Sequence, residues 1–155
     1  MNLSDLLTPD AVLPSLHAQS KKQVLLEVCT VAARLTLRSD REIFDTLLQR
    51  ERLGSTGVGH GVAIPHGKLR GLERLVGVFA RLARPVDFDS LDDQPVDLVF
   101  VLLAPESAGA DHLKALARIA RILRDPALAQ KLRTAEDASG IYSVLTGLDS
   151  ASHAA

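Results

Sequence analysis

Apolar and polar positions follow two rhythms along the chain. After Ser20, with Gln23 three residues further on, Val24, Val28, Val31 and Leu35 recur at helical spacing. In that arrangement side chains satisfy the first free N–H groups of a helix, and one is predicted over 21–37. Ser39 and Glu42 repeat the pattern before Ile43, Phe44, Leu47 and Leu48, with Gly54 as a stop, so a second helix is predicted over 40–52. The rhythm then changes. Leu75 to Ala83 and Val96 to Ala104 are β-rich apolar runs of the length expected for strands covered on both faces, separated by a turn-rich stretch from Asp87 to Pro95. Asp111 is placed to cap a helix in which Leu113, Leu116, Ala120 and Leu123 share one side, and Arg124-Asp125-Pro126 breaks it. Two shorter helical patterns follow at 126–134 and 137–147, and residues 149–155 read as a disordered tail. Residues 11–16, with Pro14 among them, read as a short edge strand or extended lead-in. Helices, then strands, then helices predict a single-domain α/β sandwich over residues 1–148, with a small mixed β-sheet flanked by helices.

Length and composition narrow the function classes. A chain of 155 residues with 46% hydrophobic and 24% charged positions can bury a core without disulfide or metal staples. Eighteen Lys and Arg against nineteen Asp and Glu leave a formal charge of -1, so no global field draws the chain to nucleic acid or to an anionic membrane. Any anion must be held locally. Aromatic residues are 3% of the chain, which leaves few platforms for stacking bases or sugar rings. The lone Cys29 cannot form an intrachain disulfide, the first sixteen residues lack the basic start and apolar run of a signal peptide, and the longest apolar stretch, Leu98 to Ala104, is too short to span a bilayer. These features lead to the expectation of a cytoplasmic protein without membrane insertion or a nucleic-acid partner. Cys29, inside an apolar helix, reads as a small buried hydrophobe.

The chemistry concentrates between residues 54 and 68, where five glycines precede Lys68 within fourteen residues and no helical period survives. This stretch is predicted to be loop with a short strand inside. In Ala63-Ile64-Pro65-His66-Gly67-Lys68 a histidine stands between a residue that fixes φ and one that frees it. Such a backbone can present an imidazole at one angle, and Gly67 offers no Cβ to obstruct an incoming partner or phosphoryl oxygen. Neutral imidazole is nucleophilic near neutral pH and can accept a phosphoryl group without a separate base. A Pro-His-Gly tripeptide alone is most often just a turn.

Four segments, in order, decide between these readings. Gly54-Ser-Thr-Gly-Val-Gly-His-Gly-Val-Ala-Ile-Pro-His-Gly-Lys-Leu69, Leu47-Leu-Gln-Arg50-Glu51, Val86 to Pro105 and His112-Leu-Lys-Ala-Leu116 together resemble the fructose/mannitol-type enzyme IIA domains of the bacterial phosphotransferase system. Within that group the chain most resembles the stand-alone nitrogen-regulatory IIA proteins. The resemblance implies the mannitol/fructose IIA fold and a phosphoryl carrier of the PEP-dependent system. It implies that His66 is phosphorylated at Nε2 by an HPr-type phosphocarrier, with Arg50 and His112 beside the phosphate. No cofactor and no metal are expected. As partners it implies regulatory protein targets chosen by phosphorylation state or, in an alternative reading, a separate IIB protein in sugar uptake. The chain carries no IIB or IIC segment of its own, which leads to the expectation of a freely diffusing regulator.

Physical reasoning supports part of this set. The planar fork of Arg50 can bind phosphate oxygens bidentately, although it could also simply pair with Glu51. His112, directly after the expected Asp111 cap, would lie at a helix N-terminus, where amide hydrogens favour anions. Ser55 and Thr56 could donate a hydroxyl to the phosphate or cap the turn after the second helix; Thr56 and Gly67 are counted with the expected phosphate-binding residues. His60 departs from the small polar residue of many relatives and reads as a surface loop histidine, while His17 and His153 need no function. Other motifs fail. Gly57-x-Gly59-x-Gly61 and Gly67-Lys68 lack the remaining positions of a dinucleotide fingerprint and of a P-loop, and the aspartates between 87 and 93 lack the glycine and glutamate of a Ca²⁺ loop. A zinc hydrolase built on His60, His66 and His112 matches no ligand spacing.

Overall fold

Strict alternation along the longest strands decides the architecture. In the computed structural model, which describes residues 2–154 and the side chains of residues 2–147, β5 (Val76–Val86) and β6 (Val96–Pro105) form the antiparallel centre of a mixed sheet. Along β6, Val99, Val101 and Leu103 point to one face and Leu98, Phe100 and Leu102 to the other, and all six are fully buried. The first face is covered by α1 (Lys21–Thr36) and α2 (Asp40–Leu53) through Val24, Leu25, Val28, Ile43 and Leu47. The second is covered by α3 (Ala110–Arg124), α4 (Pro126–Thr134) and α5 (Ala138–Ala154) through Ile119, Leu123, Leu132 and Ile141. This three-layer arrangement is the predicted α/β sandwich. Over residues 149–154, expected as part of a disordered tail, the backbone continues α5, while their side chains and residue 155 lie outside the described residues.

The helix starts follow local chemistry. Ser20 Oγ accepts from the Gln23 amide at 3.1 Å, Ser39 Oγ from the Glu42 amide at 3.4 Å, and Asp125 from the amides of Ala127 and Leu128. The expected Asp111 cap is not used. The N-cap of α3 is Gly109, at a φ of 53° that suits glycine, and Asp111 lies inside the first turn. The helix is also rotated from the expected stripe: its buried residues are His112, Ala115, Ile119 and Leu123, whereas Leu113 is 69% exposed. At about 100° per residue, turning His112 inward necessarily turns Leu113 out.

β1 (Val12–Leu16) pairs parallel with β5 at the predicted edge. The glycine-rich segment holds more strand than expected. β2 (Gly57–Gly59) and β3 (Val62–Ala63) form a hairpin whose turn residues, His60 and Gly61, have φ of 58° and 80°. Two consecutive positive φ values match the twist of a tight hairpin. The turn is tied down from outside: the His60 amide donates to the Asp92 carboxylate at 3.0 Å, and Arg133, bidentate to Asp97, donates to the His60 carbonyl at 2.9 Å. β3 and β4 (His66–Leu69) then run along one edge of β6 in a single register, Val62 opposite Leu98 and His66 opposite Leu102. They are one strand interrupted at Ile64-Pro65, where Pro65 has no N–H to give while its carbonyl accepts from Leu102 at 3.0 Å.

Candidate functional site

His66 opens β4, and the pleat aims successive residues at different helices. Its imidazole meets His112 of α3 edge to face, with ring centroids 5.6 Å apart and planes at 78°. The next residue, Gly67, turns toward α2: a Cβ there would stand 2.6 Å from Thr46 Cγ2. Gly67 was expected to leave room for a partner or phosphate; it leaves room for a helix. That close approach brings one flank of α2 against the strand. Thr46, Gln49, Arg50 and Leu53, at helical spacing, line an open groove of about 620 Å³ with His66, Gly67, Lys68 and His112.

Two hydrogen bonds of opposite sense define the state of His66. Nδ1 lies 2.8 Å from the Ile64 carbonyl, which can only accept, so Nδ1 carries the proton in the neutral ring. Nε2 therefore holds the lone pair, and it receives the Nε–H of Arg50 at 3.3 Å. A second arginine nitrogen donates to the Gly54 carbonyl at 2.8 Å, holding the guanidinium across the end of α2. Burial lowers the pKa of His66 below the ordinary 6.5; the Ile64 carbonyl and the charge of Glu51 oppose this, and the charge of Arg50 adds to it. The pKa of His112 is lowered too, by burial first and then by His66 and Lys68. His112 is 7% exposed, and its Nε2 has no hydrogen-bond partner among the described residues. A buried polar nitrogen without a partner is uncommon, and this one lies in the first turn of α3 beside the groove.

The other sequence candidates fall elsewhere. Thr56 was expected at a phosphate, yet its hydroxyl is donated to the Glu51 carboxylate, and the residue is 4% exposed outside the groove. Ser55 spends its hydroxyl on the Phe88 carbonyl. Arg50 does not pair with Glu51, because consecutive helical residues point about 100° apart. His60 is exposed on its hairpin turn, and His17 is exposed as well. Among the described residues no three His, Cys, Asp or Glu side chains gather as a metal site. Cys29 is 1% exposed, its thiol pushed up to about 12 by burial and by Asp40. Glu51, 5% exposed, is the charged residue that motif reading missed. Its signal was present in the sequence, since Ile43, Leu47 and Glu51 stand four residues apart on the stripe that α2 turns to the core.

The groove thus brings together an imidazole nitrogen with a free lone pair, a guanidinium bonded to it and a second, buried imidazole, a set of groups suited to an anionic ligand. The family described as "Phosphoenolpyruvate-dependent sugar phosphotransferase system, EIIA 2" matches residues 5–147, and the chain belongs to it. It is therefore a phosphotransferase-system IIA protein, a phosphoryl carrier in a mixed α/β fold. Among its relatives, the nitrogen regulatory protein of Bradyrhizobium diazoefficiens is 63% identical over 145 residues, which are 94% of this chain and 95% of the relative. The fructose-specific EIIABC component of Bacillus subtilis is 33% identical over 96% of this chain and 24% of its own length. The crystal structure of nitrogen regulatory protein IIA-Ntr from Neisseria meningitidis superposes with a TM-score of 0.89 at 35% identity, covering 93% of this chain and 99% of that one. The mannitol IIA structure from Escherichia coli, at 18% identity and a TM-score of 0.76 over 89% of this chain and 97% of its own, shares the fold. No helix among the described residues is long and apolar enough to cross a membrane.

Because the fold favours neutral His66 and His112, both should titrate below 6.5 in a two-dimensional NMR experiment. The unfolded chain binds these protons near pH 6.5, before the native state does, so the stability they contribute is complete above about pH 6.5 and is lost as pH falls through the depressed native values. Urea titrations between pH 5 and 8 should show that slope; a flat profile, or a His66 midpoint above 6.5, would contradict the geometry.

Gly67→Ala should force α2 outward at Thr46 and displace Arg50, slowing modification of His66 by about tenfold or more. Adding Thr46→Ser, which removes the obstructing Cγ2, should restore most of the rate, as single-turnover labelling would report.

Proposed function

We propose that His66 accepts a phosphoryl group at Nε2 from the phosphohistidine of an HPr-type carrier, and that the phosphorylated and free forms bind different regulatory targets in the cytoplasm. One observation carries the first half: the bond from Nδ1–H to the Ile64 carbonyl commits one ring nitrogen and leaves the lone pair of the other facing the groove beside Arg50. In the transfer, the Nε2 lone pair attacks phosphorus and the P–N bond to the donor breaks. The electron pair stays with the donor nitrogen, while Nδ1 keeps its proton and the Ile64 carbonyl disperses the positive charge gained by the ring. Arg50 exchanges its long bond to Nε2 for phosphoryl oxygens, where a fixed cationic fork stabilises charge spread over the transferring group. His112 Nε2, unpaired in the free protein, supplies a second hydrogen bond, and the first-turn amides of α3 favour the anion.

The second half is supported by the similarity to nitrogen regulatory proteins over nearly the whole chain. A group carrying about two negative charges, set in a groove edged by Arg50, Arg52 and Lys68, changes what that surface attracts without a change of fold. Onward transfer to a IIB protein in sugar uptake is the second reading, favoured by the similarity to a fructose-specific component. The two differ in whether the phosphorylated protein gives its group to an isolated IIB.

Incubation with a phosphorylated HPr-type carrier should give an acid-labile adduct that His66→Ala abolishes; labelling of the Ala variant at another residue would refute the assignment. Arg50→Ala should slow transfer more than Arg50→Lys, which keeps the charge and loses the fork.

Pull-downs with phosphorylated and unphosphorylated protein should recover different partners. Identical partner sets would count against the switch.

A further inference from the structure

The least expected group near the site is the carboxylate of Glu51. It is buried on the core-facing stripe of α2, where an ionised carboxylate is costly unless it is paired and hydrogen-bonded. It is both. Lys21 donates to it at 3.2 Å, and the Thr56 amide reaches both of its oxygens at 3.2 Å, with the Thr56 hydroxyl donating as well. Burial disfavours the Lys21 ammonium, but its hydrogen bonds to Glu51 and Asp89 and their charges outweigh this and raise its pKa, so Lys21 stays a cationic partner for the carboxylate.

The consequence lies one step beyond Thr56. Its carbonyl accepts the Ile64 amide at 3.0 Å, and the Ile64 carbonyl accepts Nδ1–H of His66 at 2.8 Å. Four residues from three separate parts of the chain thus make one continuous series: Glu51, Thr56, Ile64, His66. We infer that Glu51 is a positioning residue, which acts through Thr56 and Ile64 to hold His66 as the Nδ1–H tautomer with Nε2 facing the groove. This rests on the proposed role of His66 as phosphoryl acceptor.

Two features make the linkage more than a loop anchor. Ile64 and Pro65 lie in the gap between β3 and β4, so the Ile64 peptide takes its orientation from Thr56 at its N–H. The links act in series by position: the carboxylate fixes the Thr56 backbone at its N–H and hydroxyl, the Thr56 carbonyl holds the Ile64 N–H, and the Ile64 carbonyl is thereby aimed at Nδ1–H. The Glu51 charge separately favours the protonated ring, opposing burial and Arg50. A carboxylate that only anchored the loop would leave the tautomer of His66 untouched when removed from a folded protein.

Long-range ¹H–¹⁵N correlation of the full chain above pH 7.5 reads the tautomer directly, and phosphoramidate as phosphoryl donor reads reactivity without a protein partner. The wild type should show Nδ1–H at His66 and label there. Glu51→Ala, checked for folding by thermal melting, should shift His66 toward Nε2–H and label about tenfold or more slowly, while Glu51→Gln, whose side-chain oxygen still accepts from Thr56, should keep the wild-type tautomer. If Glu51→Ala fails to fold, Glu51→Leu, which fills the same place on the buried stripe of α2 without an acceptor oxygen, should move the tautomer in the same direction. A folded Glu51→Ala, or failing that a Glu51→Leu, with the wild-type tautomer overturns the inference. Absence of label at His66 in the wild type would instead refute the acceptor role, and the tautomer measurement would still decide the linkage to Glu51.

Discussion

The bond from His66 Nδ1 to the Ile64 carbonyl spans two residues of sequence, yet it exists because of what happens to the sheet at that point. A carbonyl inside a continuous ladder has its partner in the next strand. Here the strand along the edge of β6 is broken at Ile64-Pro65, and the Ile64 carbonyl turns to the imidazole instead. The proline that interrupts the pairing and the histidine that benefits are neighbours. From that bond follow the tautomer and the nitrogen whose lone pair is turned to the groove beside Arg50.

Alternation along β4 distributes the remaining work. His66 is set against His112 of α3, and Gly67 lets α2 close on the strand at Thr46, which carries Arg50 to the ring. The two helical layers belong to opposite faces of the sheet, so the site sits where the edge of β6 lets both reach the same imidazole. This geometry accounts for the electrostatics. The ring is half-buried between layers and beside a guanidinium, both of which disfavour its protonation, and a neutral imidazole is the form that can act as nucleophile. His112 shares that environment and stays neutral for the same leading reason, burial.

Much of the scaffold was legible in the sequence. Ser20 and Ser39 mark their helix starts because capping is a local hydrogen bond, and the continuous apolar runs of β5 and β6 announce strands buried on both faces. Local signals failed where a tertiary requirement overrode them. Asp111 has the chemistry of a cap, but Gly109 with its positive φ starts α3 two residues earlier. Leu113 has the character of a core residue, but His112 takes the inward position. The hairpin at His60-Gly61 was hidden because its support comes from Asp92 and Arg133, distant in the chain.

The site divides along the same line. A presented imidazole within Ile-Pro-His-Gly, an arginine near the end of α2 and a histidine at the start of α3 can be picked out by residue type, position and resemblance, since backbone constraint and side-chain chemistry are properties of short segments. Which of their atoms meet is not such a property. That Nδ1 is the donor, that Thr56 serves Glu51, and that Gly67 makes room for Thr46 all depend on contacts between segments brought together by the packing of two helical layers on one sheet. Local propensity names the elements and the reactive groups; only the closed core fixes their distances, because a hydrogen bond or a steric contact depends on three-dimensional separation and not on spacing along the chain.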